Sequence, residues 1–558
     1  MEEIKEIKNG KLQIKKIFED WYTVPAYQRH YVWEADNVSE LLIDFKNGVT
    51  EHPNEEYFLG SYIFQSKGEG NDKDLLDGQQ RITTLFLLFA YLRDKYGIET
   101  VQKYIYQEED IYEEKPAKVR LQYEIRGDVK RFINDKIVKK GILNDDKVWE
   151  EIEHNANRKD INSSICHICS TLMACHKFFN ENLDLDIQNY LRYILNRVVM
   201  IYISANTLED AFRLFSIMND RGLKLSNADI LKSSNLESIP DEKERTNYAR
   251  EWEDIQEDLG DEFDRFLSYI RTMLVMSRAK LNLLDEFEKE IFNKGILKKG
   301  SAFFNKVIDA YKIYNKAIEL ENCNDIEYLN LINVMKKTYV STDWIPVIMY
   351  YYGKFETNGL CLFTQKMIHK NIADMVCGYA PTTRIENLNA IMKKIKSTDN
   401  STEILTDPDI FKIDKEKFIG NISLDVYGRQ YTKTLLMLLE LKYLNKDATQ
   451  PFGITNIEHI LPQNPSIGSN WLNYYSEEER LCYTHKIGNL CLISRRKNTS
   501  LGNKDYLEKK DGYFKGSIDV FARTLQIINS HDSWLPIDIK ENQKKTIADI
   551  EDLFEIEE

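Results

Sequence analysis

The spacing of hydrophobic and polar positions near the N-terminus predicts a strand, a turn and a long helix. Tyr57–Gln65 (YFLGSYIFQ) is rich in aromatic and β-branched residues, a composition typical of strands. Gly68–Asp72 is a turn cluster, and Asp74–Leu76 is a candidate for the returning strand. From Gln79 to Tyr96 apolar residues recur at helical spacing, which predicts a helix with one broad apolar face.

The pattern predicts fewer elements over the rest of the chain. Val198–Ser204 (VVMIYIS) is a candidate buried strand, a helix is expected from about Glu209, and Ser226 or Asn227 can cap the next helix. A long helical periodicity with few prolines and glycines follows, and another helix is expected around Tyr431–Tyr443.

These elements predict an α+β protein that is predominantly helical, in three regions. Residues 1–235 mix short strands with helices, residues 236–420 form a helical connecting region, and residues 421–558 carry the densest motifs. A length of 558 residues is too great for one hydrophobic core. We find no internal repeat and no low-complexity linker that would fix these boundaries.

The composition is that of a soluble globular chain. Hydrophobic residues make up 42% and charged residues 30% of the sequence, which argues against disorder. The longest apolar runs, such as Thr84–Leu92, are shorter than the roughly 20 residues that span a membrane. The N-terminus has no apolar secretion segment, and the eight cysteines form no secreted-type framework. We therefore expect a cytoplasmic protein that binds no membrane.

The charge balance changes along the chain. A net charge of −15 does not by itself indicate a nucleic-acid-binding protein. A phosphate backbone, however, responds to local patches, and residues 486–515 carry eight Lys or Arg against three Asp or Glu. This segment is a candidate nucleic-acid contact.

An ordered set of polar residues lies around the same segment. In Thr455–Pro465 (TNIEHILPQNP), Glu458 and His459 are adjacent on a short β-branched stretch. Asn489 follows 30 residues after His459, in a second short strand within Ile487–Ile493, and Asn498 follows after nine more. His485 lies near the second strand, and we assign no catalytic role to it.

One-metal phosphodiester hydrolysis requires a set of this kind. Imidazole titrates near neutral pH, so His459 can take a proton from water. Mg²⁺ prefers oxygen ligands and keeps several waters, so Glu458 and Asn498 are sufficient metal ligands. Asn489 can hold the loop that aims His459. The basic residues expected to bind the DNA backbone are Arg495, Arg496, Lys497, Lys504 and Lys509.

A second polar cluster stands at the start of the first long helix. Asp77-Gly78 ends a strand, and a helix N-terminus offers unpaired N–H groups to a phosphate. Gly78 permits close approach, Gln79, Gln80 and Arg81 add donors, and Asp77 suits a metal ion or an attacking water. Other polar residues set among apolar sequence belong beside this cluster: Gln28, Arg29, Asn219, Arg221 and Asp229.

Both clusters resemble the GmrSD-type modification-dependent (type IV) restriction family, in its single-chain form. The motif EHILPQ…GNL.LI…N…GNK is similar to the family's HNH nuclease domain with a ββα-metal core, and DGQQRITT, which includes Thr83, is similar to its ParB/sulfiredoxin-like nucleotidase domain. The resemblance implies a metal-dependent DNA endonuclease of anti-phage defence, regulated by a nucleoside triphosphate. The implied ligands are Mg²⁺ or Mn²⁺, GTP, UTP or another triphosphate, and double-stranded, modified phage DNA. A homodimer is compatible with coupling between the nucleotidase domain and the nuclease domain.

Other interpretations stay open. Glu458-His459 can be a strand-end salt bridge, DGQQR can be a turn followed by an ordinary helix cap, and the whole chain can be a scaffold. The chain can also be an NTP-hydrolysing, DNA-binding or toxin-like regulator with an inactive HNH domain. The cluster Cys166-His167-Ile168-Cys169 with Cys175-His176 invites a zinc site, but its helical sequence favours buried thiols.

Overall fold

The structure is a computed structural model that describes residues 8–25, 31–66, 71–109, 112, 116–124, 127–156, 158, 163–205, 227–445, 448–449, 455–514 and 521–555. The chain divides into two compact units. The first comprises Met1–Asp264 and Lys299–Phe304, and the second comprises Arg265–Lys298 and Asn305–Glu558. The division at residues 235 and 420 expected from the sequence stays a prediction.

A six-stranded mixed sheet is the centre of the first unit. Its strands are β1 (Lys8–Gln13), β2 (Trp21–Val24), β3 (Tyr57–Ser66), β4 (Asp72–Asp77), β7 (Leu121–Tyr123) and β8 (Val198–Ala205). They lie in the order β1-β8-β3-β4-β2-β7. β3 is antiparallel to β4 and parallel to β8, and β2 is parallel to β4 and β7. A separate antiparallel pair joins β5 (Tyr106–Gln107) to β6 (Lys118–Val119).

Helices cover this sheet. The first unit contains α1 (Ile14–Ile17), α2 (Ala35–Glu51), α3 (Gln79–Tyr96), α4 (Gly127–Ile133), α5 (Asp146–Asn155), α6 (Ser163–Glu181), α7 (Ile187–Arg197), α8 (Asn227–Glu237) and α9 (Glu242–Leu259). Short 3-10 helices lie at Glu99–Tyr104, Ile142–Asn144 and Gly260–Glu262, and a π-helix lies at Asn134–Val138. Because α3 is apolar on nearly every side, it is the central helix, and every residue from Ile82 to Asp94 is buried.

The second unit is mainly helical. Its helices include α10 (Phe263–Val275), α11 (Leu283–Asp285), α12 (Ser301–Ala317), α13 (Ile326–Thr338), α14 (Ile345–Phe355), α15 (Leu360–Val376), α16 (Pro381–Ser397), α17 (Ser401–Leu405), α18 (Lys415–Ile422) and α19 (Thr432–Tyr443), with a π-helix at Glu286–Phe292. α10 and α12 begin within the residues of the first unit.

A small antiparallel sheet and six helices complete the second unit. β9 (Thr455–His459) pairs with β10 (Leu490–Ser494), and the 3-10 helix Ile487–Asn489 leads into β10. The helices are α20 (Trp471–Tyr474), α21 (Glu477–Tyr483), α22 (Arg495–Leu501), α23 (Tyr506–Phe514), α24 (Ala522–Ser530) and α25 (Pro536–Leu553). α22 follows β10 directly and packs against both strands.

The predominantly helical α+β class predicted from the sequence is confirmed. The expected strands are found as β3, β4 and β8, and the expected helices as α3 and α19. α8 begins at Asn227, so of the two expected caps Asn227 is the first helical residue and Ser226 lies outside the described residues. The helix expected from Glu209 and most of the Gly68–Asp72 turn lie outside them as well. None of the described helices is both long and apolar enough to cross a bilayer.

Candidate active site

Glu458 and His459 end β9 and face opposite sides of the strand. In the antiparallel register Leu490 stands opposite His459, and Cys491 stands opposite Glu458. Successive side chains of a strand alternate between its two faces. The two polar residues that are adjacent in sequence therefore have different surroundings.

The His459 imidazole is held between two polar side chains. It is 7% exposed, its Nε2 lies 3.3 Å from Nδ1 of His485, and its Nδ1 lies 3.2 Å from Nε2 of Gln463. The Tyr427 ring packs edge-on with its centroid 4.3 Å from that of His459. Nε2 of Gln463 also lies 3.4 Å from Nε2 of His459, so this amide stands over the ring edge that carries both nitrogens.

The environment of His459 favours the uncharged ring. Burial, the neighbouring His485 and the Lys509 ammonium lower the pKa of His459 to about 3. The imidazole is consequently neutral at physiological pH, so it has a free lone pair, but so low a pKa makes it a weak base in this closed arrangement.

Asn489 fixes the loop that follows His459. Its side-chain oxygen accepts hydrogen bonds from Leu461 N (2.8 Å) and Trp534 Nε1 (3.1 Å). Its Nδ2 donates to Leu461 O (3.0 Å) and Thr484 O (2.9 Å), and its carbonyl accepts from Ile460 N at 3.1 Å. The residue is fully buried. Asn489 thus ties the segment after β9 to the segment before β10, and its role in aiming His459 stays a prediction.

Glu458 faces a buried cation. Its Oε1 accepts hydrogen bonds from Lys509 Nζ at 2.7 Å and from the Tyr513 hydroxyl at 3.1 Å. Lys509 also donates to the carbonyls of His459 (2.7 Å) and Ile460 (3.2 Å). Burial raises the pKa of Glu458, and the Lys509 ammonium opposes that rise. Lys509 is fully buried, which argues against the DNA contact predicted for it, because an interior ammonium cannot reach a phosphate.

Glu458 and Asn498, the two residues expected to hold a metal ion, have different surroundings. No group of three or more His, Cys, Asp or Glu side chains suited to a metal occurs among the described residues. Asn498, the second expected ligand, is half-buried in α22. Oε1 of Glu458, the first expected ligand, already accepts a hydrogen bond from Lys509. A divalent ion at Oε1 would compete with this ammonium, and metal binding by Glu458 and Asn498 stays a prediction.

The other basic residues predicted to bind DNA lie at the surface. Arg495 and Arg496 begin α22 and are exposed, and Lys504 is exposed between α22 and α23. Their charges are therefore accessible to a phosphate backbone. The side chain of Lys497 lies outside the described part of the chain.

The glycine of the DGQQR motif is required where β4 meets α3. Gly78 has a φ of 82°, in the left-handed region that favours glycine. A Cβ at this position would lie 2.6 Å from Cβ of Tyr62. The backbone therefore turns from β4 into α3 with no room for a side chain.

The remaining side chains of the motif have mixed accessibility. Arg81 is half-buried and donates through Nη1 to Ser61 O at 2.6 Å. Gln79 is 7% exposed, and its Oε1 has no hydrogen-bond partner among the residues the structure describes. Thr83 is buried, with its hydroxyl 2.7 Å from that of Tyr123, so it lies in the core away from a surface ligand. Burial raises the pKa of Asp77, and Arg81 and the Gly78 N–H oppose that rise.

Gln80 connects the motif to a cavity that contains Asp229. Val32 N donates to Gln80 Oε1 at 2.8 Å, and Val32 and Asp229 both line a cavity of about 440 Å³. Several acidic side chains share this lining, and Lys232 is paired with Glu253 at 2.9 Å. Such a wall repels a triphosphate unless cations intervene. The other predicted nucleotide-site residues, Gln28, Arg29, Asn219 and Arg221, lie outside the described residues.

Both motif-bearing ends match known families. Residues 4–236 match the family described as GmrSD restriction endonuclease, N-terminal domain, and residues 413–548 match GmrSD restriction endonucleases, C-terminal domain. The two matches cover about two thirds of the 558 residues. The chain belongs to the GmrSD restriction endonuclease family. Membership implies a DNA endonuclease of the restriction type. A search of curated proteins found no significant match.

Sequence reasoning missed three neighbours of the His459 ring in this GmrSD protein. Gln463 lies only four residues after His459, and His485 lies four residues before Asn489. Both are close to the motif in sequence, but no known spacing pattern assigns them a contact with His459. Tyr427 is more than 30 residues upstream, and only the fold brings it to His459. These contacts make His485 part of the site.

The Cys-His cluster of the same GmrSD chain lies on α6. Cys169 and Cys175 are buried, and Cys166 donates from Sγ to Ala156 O at 3.3 Å. Burial raises the pKa of the Cys175 thiol to about 12. His176 packs against Trp149, with ring centroids 4.8 Å apart. The two buried thiols act as small apolar groups of the core.

Proposed function

We propose that this GmrSD protein is a type IV-like, modification-dependent endonuclease that cuts phage DNA, with His459 as the general base of an HNH site. The observation that carries the proposal is the pair of contacts on the buried His459 ring, one from Gln463 and one from His485. A neutral imidazole held in one orientation is what abstraction of a proton from water requires.

In this proposal, side chains around His459 position the proton acceptor and bind the DNA backbone. His459 takes the proton of a water molecule at Nδ1 after Gln463 yields that position, and His485 retains the ring through Nε2. Asn489 keeps the loop after β9 closed, so the ring cannot swing away. The exposed Arg495, Arg496 and Lys504 bind the phosphate backbone.

We propose in addition that DNA cleavage depends on a divalent metal ion. Mg²⁺ or Mn²⁺ would neutralise charge on the leaving oxygen when bound. Glu458 and Asn498 would hold such an ion only after the Lys509 ammonium leaves the carboxylate. The antiparallel β9–β10 pair followed by α22, the arrangement expected of a ββα core, supports the location.

The N-terminal motif is proposed to bind and hydrolyse a nucleoside triphosphate that regulates cutting. Gly78 at the start of α3 supports a phosphate at this helix start, and the unpartnered Gln79 Oε1, an acceptor, would take a donor such as a ribose hydroxyl. Gln80 ties the motif to the Asp229 cavity through Val32. GTP, UTP and other triphosphates remain equal candidates.

A substrate matrix tests the proposed function. The purified protein is incubated with unmodified and modified phage DNA, with and without Mg²⁺ or Mn²⁺, and with each nucleoside triphosphate. We expect cleavage of modified DNA that depends on the divalent ion and changes with one nucleotide. Absence of cleavage in every combination contradicts the nuclease proposal.

The nucleotide site is tested in parallel. Asp77→Ala and Arg81→Ala should each abolish triphosphate turnover, whereas His459→Ala should leave it intact. Turnover that is unchanged in both N-terminal variants contradicts the assignment of the DGQQR motif.

One observation favours a second candidate function. The Glu458–Lys509 ion pair fills a predicted metal ligand, as expected of an NTP-hydrolysing, DNA-binding or toxin-like regulator whose HNH domain is inactive. That candidate predicts triphosphate turnover and DNA binding without cleavage under any metal condition, so the same matrix separates the two functions.

A further inference from the structure

A polar cavity lies beside the His459 site in the second unit. It has a volume of about 350 Å³ and lies among the ends of α15, α16 and α18 and the segment before α19. Its lining includes Tyr379, Arg384, Asn421, Arg429 and Gln430. The volume greatly exceeds that of a phosphate ion and lies within the range of small-molecule sites.

The lining carries a positive charge surplus. Arg384 and Arg429 are the cationic residues that line it, and Asp425 is the acidic one. Asp425 is paired with Lys486 at 3.4 Å, which offsets its charge. The Arg384 guanidinium lies beside the buried Tyr339 hydroxyl. A guanidinium carries five N–H donors, so it can donate to acceptor oxygens of a ligand in the cavity as well as to this hydroxyl.

One segment links the cavity to the proposed catalytic histidine. Asp425 and Arg429 line the cavity, while Tyr427 between them packs on His459, with ring centroids 4.3 Å apart. Val426 N donates to His485 O at 3.1 Å, which fixes this segment to the histidine pair. The Cα atoms of Tyr427 and Arg429 lie within about 7.6 Å of each other, since successive Cα atoms are about 3.8 Å apart.

We propose that this cavity binds one nucleotide unit of the DNA strand that is cut at His459. Arg384 and Arg429 contact its phosphate oxygens, Tyr379 offers a ring to its base, and Gln430 and Asn421 offer amides to the base edge. The proposal rests on the proposed endonuclease function and adds a recognition site to it. A free nucleoside triphosphate shares this chemistry, but the connection through Tyr427 favours the DNA strand.

Photo-crosslinking locates the nucleotide independently of cleavage. Full-length His459→Ala protein is irradiated with modified and unmodified duplexes that contain 4-thiothymidine, and crosslinked peptides are sequenced by mass spectrometry. We expect crosslinks within residues 375–384 or 421–431, and persistence of these crosslinks in excess GTP or UTP. Crosslinks confined to other segments overturn the proposal. Loss of the crosslinks in excess triphosphate also overturns the proposal, because it assigns the cavity to a free nucleotide.

Charge removal gives a second readout. Arg384→Met and Arg429→Met should each weaken DNA binding about tenfold, with the slope of log affinity against log salt reduced by about one. Lys393→Met, on an exposed face of α16, is the matched control and should bind like wild type. Arginine variants that bind and cut like the control overturn the pocket while the endonuclease function stands. Absence of wild-type cleavage instead contradicts the endonuclease function, and the crosslinks still decide the pocket.

Discussion

The side-chain nitrogen of Lys509 lies 2.7 Å from Oε1 of Glu458, and both residues are buried. Lys509 was predicted to meet DNA, and Glu458 was predicted to hold a metal ion. Their pairing joins α23 to the end of β9 directly behind His459. The ion pair therefore determines both the stability of this corner and the availability of the Glu458 carboxylate.

Removal of the cation should destabilise the protein strongly. Lys509→Met leaves a buried carboxylate without its partner, which costs about 3–5 kcal/mol in the free energy of unfolding. The neighbouring Lys510→Met removes a pair with the fully exposed Asp532 and one bond to the His531 carbonyl, and it should cost much less. Urea denaturation measures both. Adding Glu458→Gln to Lys509→Met should recover part of the lost free energy of unfolding. Equal losses of stability in the two lysine variants would contradict the buried ion pair.

Truncation of the loop asparagine should affect stability and activity together. Asn489→Ala leaves the buried Leu461, Thr484 and Trp534 groups without partners and should cost about 3 kcal/mol or more. DNA cleavage should fall even at temperatures where the variant is folded, because the loop after His459 is released. The exposed Asn473→Ala is the control. Wild-type cleavage by folded Asn489→Ala protein would remove the loop-holding role.

Two glycines at the ends of α3 form a matched test of close packing. Gly78 and Gly97 both have positive φ, 82° and 64°, so alanine is strained at either position. Only at Gly78 does a Cβ meet Tyr62, whereas nothing lies within 4 Å at Gly97. Gly78→Ala should therefore lower the thermal midpoint and the triphosphate affinity more than Gly97→Ala. Identical behaviour of the two variants would show that the approach to Tyr62 is unimportant.

Acid should destabilise the second unit through His369. This residue is buried in α15 against Phe554, and burial, with a smaller effect of Lys366, lowers the pKa of His369 to about 3. The unfolded state takes up a proton near pH 6.5 and the folded state does not, so stability is full above pH 6.5 and falls as pH decreases toward 3. His369 should account for about 2 kcal/mol of loss between pH 7 and pH 5. His369→Phe should remove that part in denaturant titrations at both pH values, and an unchanged pH dependence would contradict it.

Local signals predicted the elements that have strong sequence patterns. α3 was predicted with both ends, because its apolar residues recur at helical spacing and it is bounded by Gly78 and Gly97. The burial of Asn489 between the segments after β9 and before β10 agrees with its motif position, and its role in aiming His459 stays a prediction. β2 was missed, since a strand of four residues has too few positions to show alternation. The Glu458–Lys509 pair spans 51 residues in sequence, so burial of Lys509 depends on tertiary packing that no local pattern encodes.

The most direct measurement is DNA cleavage by His459→Ala protein, compared with wild type under the metal and nucleotide conditions that support wild-type activity. Circular dichroism and triphosphate turnover verify that the variant is folded. We predict loss of cleavage by at least about 100-fold with turnover retained, because only the proton acceptor is removed. Cleavage at the wild-type rate by the folded variant would contradict the assignment of His459 as the general base.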